Sequence, residues 1–118
     1  MRGVRFLLAL TLLSPVLAAP ASSALERSPR GIRGVTEVVK IRIVDDRYRN
    51  GTITISRGTV VKWTNRGNNT HTTTSDSGVW DSGNLSPGDG FRRKFRHTGT
   101  FAYHCEIHPT MHGTITVT

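Results

Sequence analysis

The chain has 118 residues and a formal net charge of +8, because 16 Lys and Arg outnumber 8 Asp and Glu. A basic protein favours acidic surfaces, but the sequence has neither an aromatic-rich RNA motif nor a DNA-binding helix pattern, so we expect no nucleic-acid partner. The single cysteine excludes the internal disulfides that stabilise many small secreted domains.

Residues 1–24 are typical of a secretory signal peptide. Arg2 and Arg5 give a basic start, and the stretch 6–17 is mostly apolar before small residues follow. Pro15 and an apolar run well below ~20 residues argue against a membrane-spanning helix. We therefore expect an exported protein, periplasmic or extracellular, that is soluble after cleavage and does not insert stably into a membrane.

Residues 25–34 are polar, basic and interrupted by proline and glycine, which predicts a flexible arm. The remaining segment, 35–118, has the size of one small domain, near the lower limit for an unaided hydrophobic core. We expect this domain to act as a monomer.

Short strands are predicted in the first half of the domain, where β-branched residues alternate with polar ones. They cover Val35–Val44, Thr52–Ser56 and Thr59–Thr64. The stretch 45–50 between the first two is predicted to be a loop, because it is polar and ends at an Asn-Gly pair.

The second half continues in the same style. Residues 70–75 predict a polar extended segment, and 78–90 a loop dense in Gly, Asp, Asn and Pro. Strands follow at 91–96, at Phe101–Cys105 and at Thr114–Thr118. Since no segment after residue 24 has a helical period, the sequence predicts an all-β sandwich or barrel.

The residues best suited to chemistry lie near the C-terminus. Cys105, His108 and Met111 recur at intervals of three, which is ligand spacing on a tight loop. A thiolate, an imidazole and a thioether suit a copper ion that cycles between Cu(I) and Cu(II), and two His with one Cys and a long axial Met form the blue-copper arrangement. Metal ligation also explains a lone cysteine in an exported protein. The second His must come from elsewhere in the chain.

The C-terminal run resembles the copper loop of the cupredoxins, the plastocyanin/azurin family of blue copper proteins. It reads Tyr103-His104-Cys105-Glu106-Ile107-His108, then Met111, Gly113 and the strand Ile115–Val117. The short Cys-x-x-His-x-x-Met spacing is similar to that of amicyanin. Further landmarks of the family are Val60, Trp63, Asn65, His71, Asp81, Leu85, Pro87, Phe91, Phe95 and Phe101, so the resemblance covers about residues 36–118.

The resemblance implies a Greek-key β-sandwich that binds one copper ion through His71, Cys105, His108 and Met111. It implies a carrier of single electrons between redox proteins, not an enzyme. In many members an Asn follows the upstream ligand His, whereas this chain has Thr72, whose hydroxyl can also hydrogen-bond. His97, His104 and His112 are predicted to be structural or solvated, although His112 is placed to compete with Met111.

Two other functions use the same residues. One is copper carriage or storage in the periplasm or outside the cell, and the other is a structural zinc site, for which Cys and His are also suitable ligands. An enzyme is not indicated, because the sequence has no Ser-His-Asp or paired-carboxylate arrangement. The exposed row expected at Arg92, Lys94 and Arg96 is suited to a redox partner with an acidic docking surface, or it is a solvated strand face.

Overall fold

The computed structural model describes residues 34–118 together with Pro15. Apart from Pro15 and Gly34, the predicted signal peptide and the predicted basic arm therefore lie outside the described residues. Strands follow one another through the described domain in this order: β1 (Val38–Val44), β2 (Arg47–Arg49), β3 (Thr52–Ile55), β4 (Val60–Asn65), β5 (Thr74–Ser75), β6 (Gly90–Lys94), β7 (Gly99–His104) and β8 (His112–Val117).

These strands form two four-stranded sheets with the orders β2-β1-β4-β6 and β3-β8-β7-β5. Neighbours pair in parallel where β1 meets β4 and where β3 meets β8, and antiparallel elsewhere. The prediction of an all-β sandwich is confirmed. In the region that the structure describes, no helix is long and apolar enough to cross a membrane.

Alternation along the strands produces the core between the sheets. In β4, Val61, Trp63 and Asn65 are buried, whereas the residues between them are only half-buried. Trp63 is the centre of an aromatic cluster, with ring centroids 5.7 Å from Trp80, 6.0 Å from Phe91, 6.4 Å from Phe95 and 5.6 Å from Tyr103. Tilted and edge-to-face ring pairs at these distances add to the stabilisation from burial itself.

Arg93 breaks the pattern of β6 by facing the aromatic cluster instead of solvent. Its guanidinium carbon lies 5.4 Å from the ring centroids of both Trp80 and Phe95. Its Nη1 donates a hydrogen bond to the carbonyl of Val79 at 2.9 Å. Attraction between a cation and two aromatic faces explains how a charged side chain is accommodated between Phe91 and Phe95.

The loop predicted at 45–50 is wrong, because Arg47–Arg49 forms the short edge strand β2. Tyr48 is buried and pairs with Ile43 of β1, so burial of one aromatic side chain orders an otherwise polar stretch. The predicted extended segment at 70–75 shrinks to the two-residue strand β5, since His71 forms only an isolated bridge with Leu85. β6 ends at Lys94, so Arg96 lies beyond the strand.

Candidate metal centre

The candidate site lies where two segments distant in sequence meet. One follows β4 and carries His71, and the other connects β7 to β8 and carries Cys105, His108 and Met111. The backbone of His71 is fixed by a reciprocal pair of hydrogen bonds with Leu85, at 3.1 and 2.8 Å. His71 is completely buried, so its ring has little freedom to reorient.

Three potential ligand atoms converge at this point. Cys105 Sγ lies 3.9 Å from His71 Nδ1 and 3.8 Å from His108 Nδ1, and the two Nδ1 atoms are 3.1 Å apart. A metal about 2.0 Å from each nitrogen and about 2.3 Å from the sulfur separates trigonal donors by roughly 3.5–3.7 Å. The donor atoms therefore fit one metal ion without rearrangement of the backbone.

Met111 closes the loop opposite Cys105. The backbone N–H of Cys105 donates to the carbonyl of Met111 at 3.1 Å, and the N–H of Met111 donates to the carbonyl of His108 at 2.9 Å. Both side chains are buried, with exposed fractions of 0% for Cys105 and 1% for Met111. Met111 is thus a buried residue paired with Cys105 at the end of the ligand loop, and its role as axial ligand stays a prediction.

Thr72 connects the two segments at the sulfur. Its N–H donates to Cys105 Sγ at 3.3 Å, and its Oγ1 accepts a hydrogen bond from the N–H of Glu106 at 2.9 Å. Its carbonyl accepts a hydrogen bond from the Tyr48 hydroxyl at 2.6 Å. Thr72 therefore links the two ligand-bearing segments, which is the role expected of the asparagine that many cupredoxins have at this position.

Asp45 holds the far side of the His71 ring. Its Oδ1 lies 3.2 Å from His71 Nε2 and accepts the N–H groups of Asn68 and Asn69 at 2.8 and 3.0 Å. The Asn69 N–H, followed by the His71 ring, holds the pKa of this carboxyl below its ordinary value. An ionised carboxylate on Nε2 favours the tautomer that leaves Nδ1 free as a metal ligand.

Sequence reasoning missed Asp45, although a signal for it existed. Asp45 follows β1, and β1 pairs in parallel with β4, which ends at Asn65 shortly before His71. The carboxyl ends of parallel neighbours lie at the same edge of a sheet, so Asp45 and the segment after β4 had to be close. Asn65 orders that segment, because its Nδ2 donates to the carbonyls of Asn69 and Leu85, both at 2.8 Å.

The His108 side of the site is more exposed to solvent than the His71 side. His108 is half-buried beside the exposed Pro109, and Ile107 is 45% exposed. His97 is exposed in the loop after β6. His104 and His112 flank the ligand loop on the strands themselves, and they are not part of the cluster of His71, Cys105 and His108.

A family model described as Cupredoxin-like domain matches residues 7–117. The chain belongs to the cupredoxins. Membership in this family, together with the converging Cys and His donors, supports one copper ion as the cofactor. No curated protein sequence matches the chain significantly.

Solved structures of cupredoxins resemble the domain. A purple cupredoxin from Nitrosopumilus maritimus is 29% identical with a TM-score of 0.63, and the match covers 68% of this chain and 99% of that one. An oxidised mutant of amicyanin is 24% identical with a TM-score of 0.64, and the match covers 68% of this chain and 81% of the amicyanin chain. A copper-containing nitrite reductase from Thermus scotoductus, 24% identical with a TM-score of 0.64, is covered over only 22% of its length. The last two comparisons establish the fold alone.

Proposed function

We propose that this cupredoxin is an exported type 1 copper protein that carries single electrons between redox partners. The observation that supports the proposal best is the convergence of Cys105 Sγ with the Nδ1 atoms of His71 and His108, at separations of 3.1 to 3.9 Å. Bound copper supplies the one-electron couple between Cu(I) and Cu(II). His71, Cys105 and His108 would hold the ion, and Met111 would supply a fourth, weaker ligand.

The protein's own contribution is to keep these ligands in place. The Thr72 N–H donates to the cysteine sulfur, and Asp45 orients the His71 ring. Each contact restricts a ligand before metal binds, so the same geometry serves both oxidation states. Burial of Cys105 and His71 excludes water from the sulfur side of the site.

His108 offers the route for the electron. It is the ligand nearest to solvent, and the exposed Ile107 and Pro109 beside it provide an apolar contact surface. A brief encounter between redox proteins needs only a small contact. We therefore place electron exchange at the His108 end of the domain.

The partner is proposed to present an acidic surface. The outer face of the first sheet, here called the basic face, carries Lys40, Arg42, Arg49, Lys62, Arg92 and Lys94. Lys62 lies directly between Lys40 and Arg92 in the strand register, and Arg42 lies beside Arg49. Like charges in such positions destabilise a sheet. An acidic partner would relieve this repulsion, and the positive charge of the basic face would steer the partner towards that face.

Copper carriage or storage is the second candidate, because the same ligands serve it. The two functions differ in how copper is held. A carrier releases Cu(I) readily to a competing chelator, whereas an electron-transfer site retains copper in both oxidation states. An enzymatic role is not part of the proposal, since four protein ligands leave no position for a substrate.

The visible spectrum of the copper-loaded protein tests the assignment. Cu(II) bound to the Cys105 thiolate gives an intense charge-transfer band, which Cys105→Ala abolishes and His108→Ala bleaches or shifts. His97→Ala is the matched control, because His97 is exposed away from the cluster, and it leaves the band unchanged. Retention of the band in Cys105→Ala would show that the ligand assignment is wrong.

A further inference from the structure

His104 and His112 face each other on adjacent strands beside the ligand loop. They are direct partners in the antiparallel register of β7 and β8. The next pair along the two strands, Cys105 and Met111, is joined by a hydrogen bond from the Cys105 N–H to the Met111 carbonyl. Because hydrogen-bonded and non-hydrogen-bonded pairs alternate along an antiparallel ladder, His104 and His112 form a non-hydrogen-bonded pair. In such pairs the Cα atoms are about 4.5 Å apart and the side chains lie closest.

The side chains of both histidines project from the outer face of the second sheet. Side chains alternate along a strand, and the buried neighbours Tyr103, Cys105 and Met111 point into the sandwich. His104 is half-buried and His112 is exposed. The two imidazoles are therefore accessible from solvent and lie on the opposite side of β7 and β8 from the copper ligands.

Asp76 fixes one of the two rings. Its Oδ1 lies 2.5 Å from His104 Nδ1, and its backbone N–H donates to the carbonyl of Ala102 at 3.0 Å. A carboxylate on one ring nitrogen selects the tautomer whose other nitrogen is free to bind a metal. Nε2 of His104 is thereby left as the ligating atom.

We propose that His104 and His112 form a second metal site, which takes a borderline divalent ion such as Zn²⁺ or Cu²⁺ on the outer face of the sheet. Imidazole is a good ligand for these ions, and water molecules complete the coordination. Asp76 is a positioning residue and acts through His104. With two protein ligands this site binds more weakly than the buried cluster, and it does not depend on the electron-carrier proposal.

Calorimetric titration of Zn²⁺ into the copper-loaded protein measures the second site while the first is filled. The wild type binds one further equivalent. His104→Gln and His112→Gln each weaken this binding at least tenfold, because a single imidazole no longer chelates the ion. Asp76→Asn weakens it about 10- to 100-fold, the usual effect of removing a carboxylate behind a ligand histidine.

Two controls make the result decisive. His97→Gln removes the one histidine outside both sites and leaves Zn²⁺ affinity unchanged. The thiolate-to-copper band stays constant throughout the titration, which shows that Zn²⁺ has not replaced copper. If His112→Gln binds Zn²⁺ as tightly as the wild type, the site is not formed by this pair. A missing copper band would contradict the proposed copper centre and not the second site. The difference in Zn²⁺ stoichiometry between wild type and His112→Gln would still show whether His104 and His112 bind the ion.

Discussion

The hydroxyl of Thr72 accepts a hydrogen bond from the backbone N–H of Glu106 at 2.9 Å, although 34 positions separate the two residues. The same threonine donates its own N–H to Cys105 Sγ. It therefore joins the segment that carries His71 to the loop that carries the other ligand candidates. Together with the pairing of β5 and β7, Thr72 therefore holds the two halves of the metal centre at their separation.

Thr72→Val tests the link while preserving side-chain shape. The substitution removes the partner of the Glu106 N–H, and the loss of this part-buried hydrogen bond lowers the unfolding free energy by about 0.5–1.5 kcal/mol. It also loosens the loop, so the charge-transfer band shifts. Thr110→Val is the matched control, because Thr110 is exposed in the same loop, and it changes neither quantity. Urea denaturation and visible spectroscopy measure both effects, and equal results for the two variants would exclude the link.

Met111→Gln tests the axial position. A weak axial ligand tunes the reduction potential more than it holds the metal. The variant therefore retains copper but has a lower potential, because an oxygen donor favours Cu(II). Voltammetry of the purified protein in metal-free buffer gives the potential. An unchanged value would mean that Met111 is not a ligand, and His112→Gln serves as control because His112 points to the outer face.

Stability at alkaline pH depends on two buried tyrosines. Burial raises the pKa of Tyr48 and of Tyr103 above the ordinary value, and their hydroxyls donate to the carbonyls of Thr72 and Gly51. Since both stay protonated in the folded state, their contribution is complete below about pH 10 and is lost as pH rises and unfolded tyrosines ionise. The decline reaches at most about 1.4 kcal/mol per pH unit for each tyrosine.

Tyr103→Phe separates this effect from other titrations. Unfolding free energies measured between pH 9 and 11 decline less steeply in the variant than in the wild type, because one ionising group is missing. At neutral pH the same variant loses about 1 kcal/mol with its hydrogen bond to Gly51. Identical slopes in the two proteins would show that Tyr103 ionises equally well in the folded state.

The basic face is tested by the salt dependence of electron transfer. Rates with an acidic partner fall as salt rises, since screening acts over about 10 Å at 0.1 M. The double variant Lys62→Gln with Arg92→Gln flattens this dependence, because it removes two adjacent charges from the face. Arg57→Gln with Arg96→Gln removes the same net charge from residues outside the strands and has a smaller effect. If the two pairs behave alike, net charge and not the face steers the partner.

Local patterns in the sequence predicted most of the fold. Alternation identified the strands that became β1, β3 and β4, because each has one buried face. Spacing also selected Cys105, His108 and Met111 as candidate ligands, and the structure brings the first two together with His71. β2 was missed because its formation depends on Tyr48 being buried against Tyr103, with ring centroids 4.8 Å apart. A contact between distant strands has no trace in the local pattern.

The same limit applied to the surroundings of the metal centre. His71 was identified through the family resemblance, and its distance from Cys105 follows from pairing between strands, not from sequence spacing. Asp45 and Tyr48 were not predicted to contact this region, because both depend on how β1 and β2 lie against the rest of the sandwich. Distant pairings of this kind position the groups that orient the candidate ligands, so local spacing in the sequence could suggest ligands within one loop but not the residues that hold them in place.

The parallel pairing of β3 with β8 places Thr52 beside Thr114. In the sequence, Thr52 belongs to the first part of the domain and Thr114 lies near its end. Such long-range pairings close slowly, and sandwiches rich in them fold in milliseconds to seconds. Until β8 is in place, the Cys105 thiol is exposed without His71 beside it. Cu(II) present at that stage meets an unprotected thiol that it can oxidise. In refolding experiments, copper added after the sandwich has formed is therefore expected to give a higher yield of loaded protein than copper present from the start.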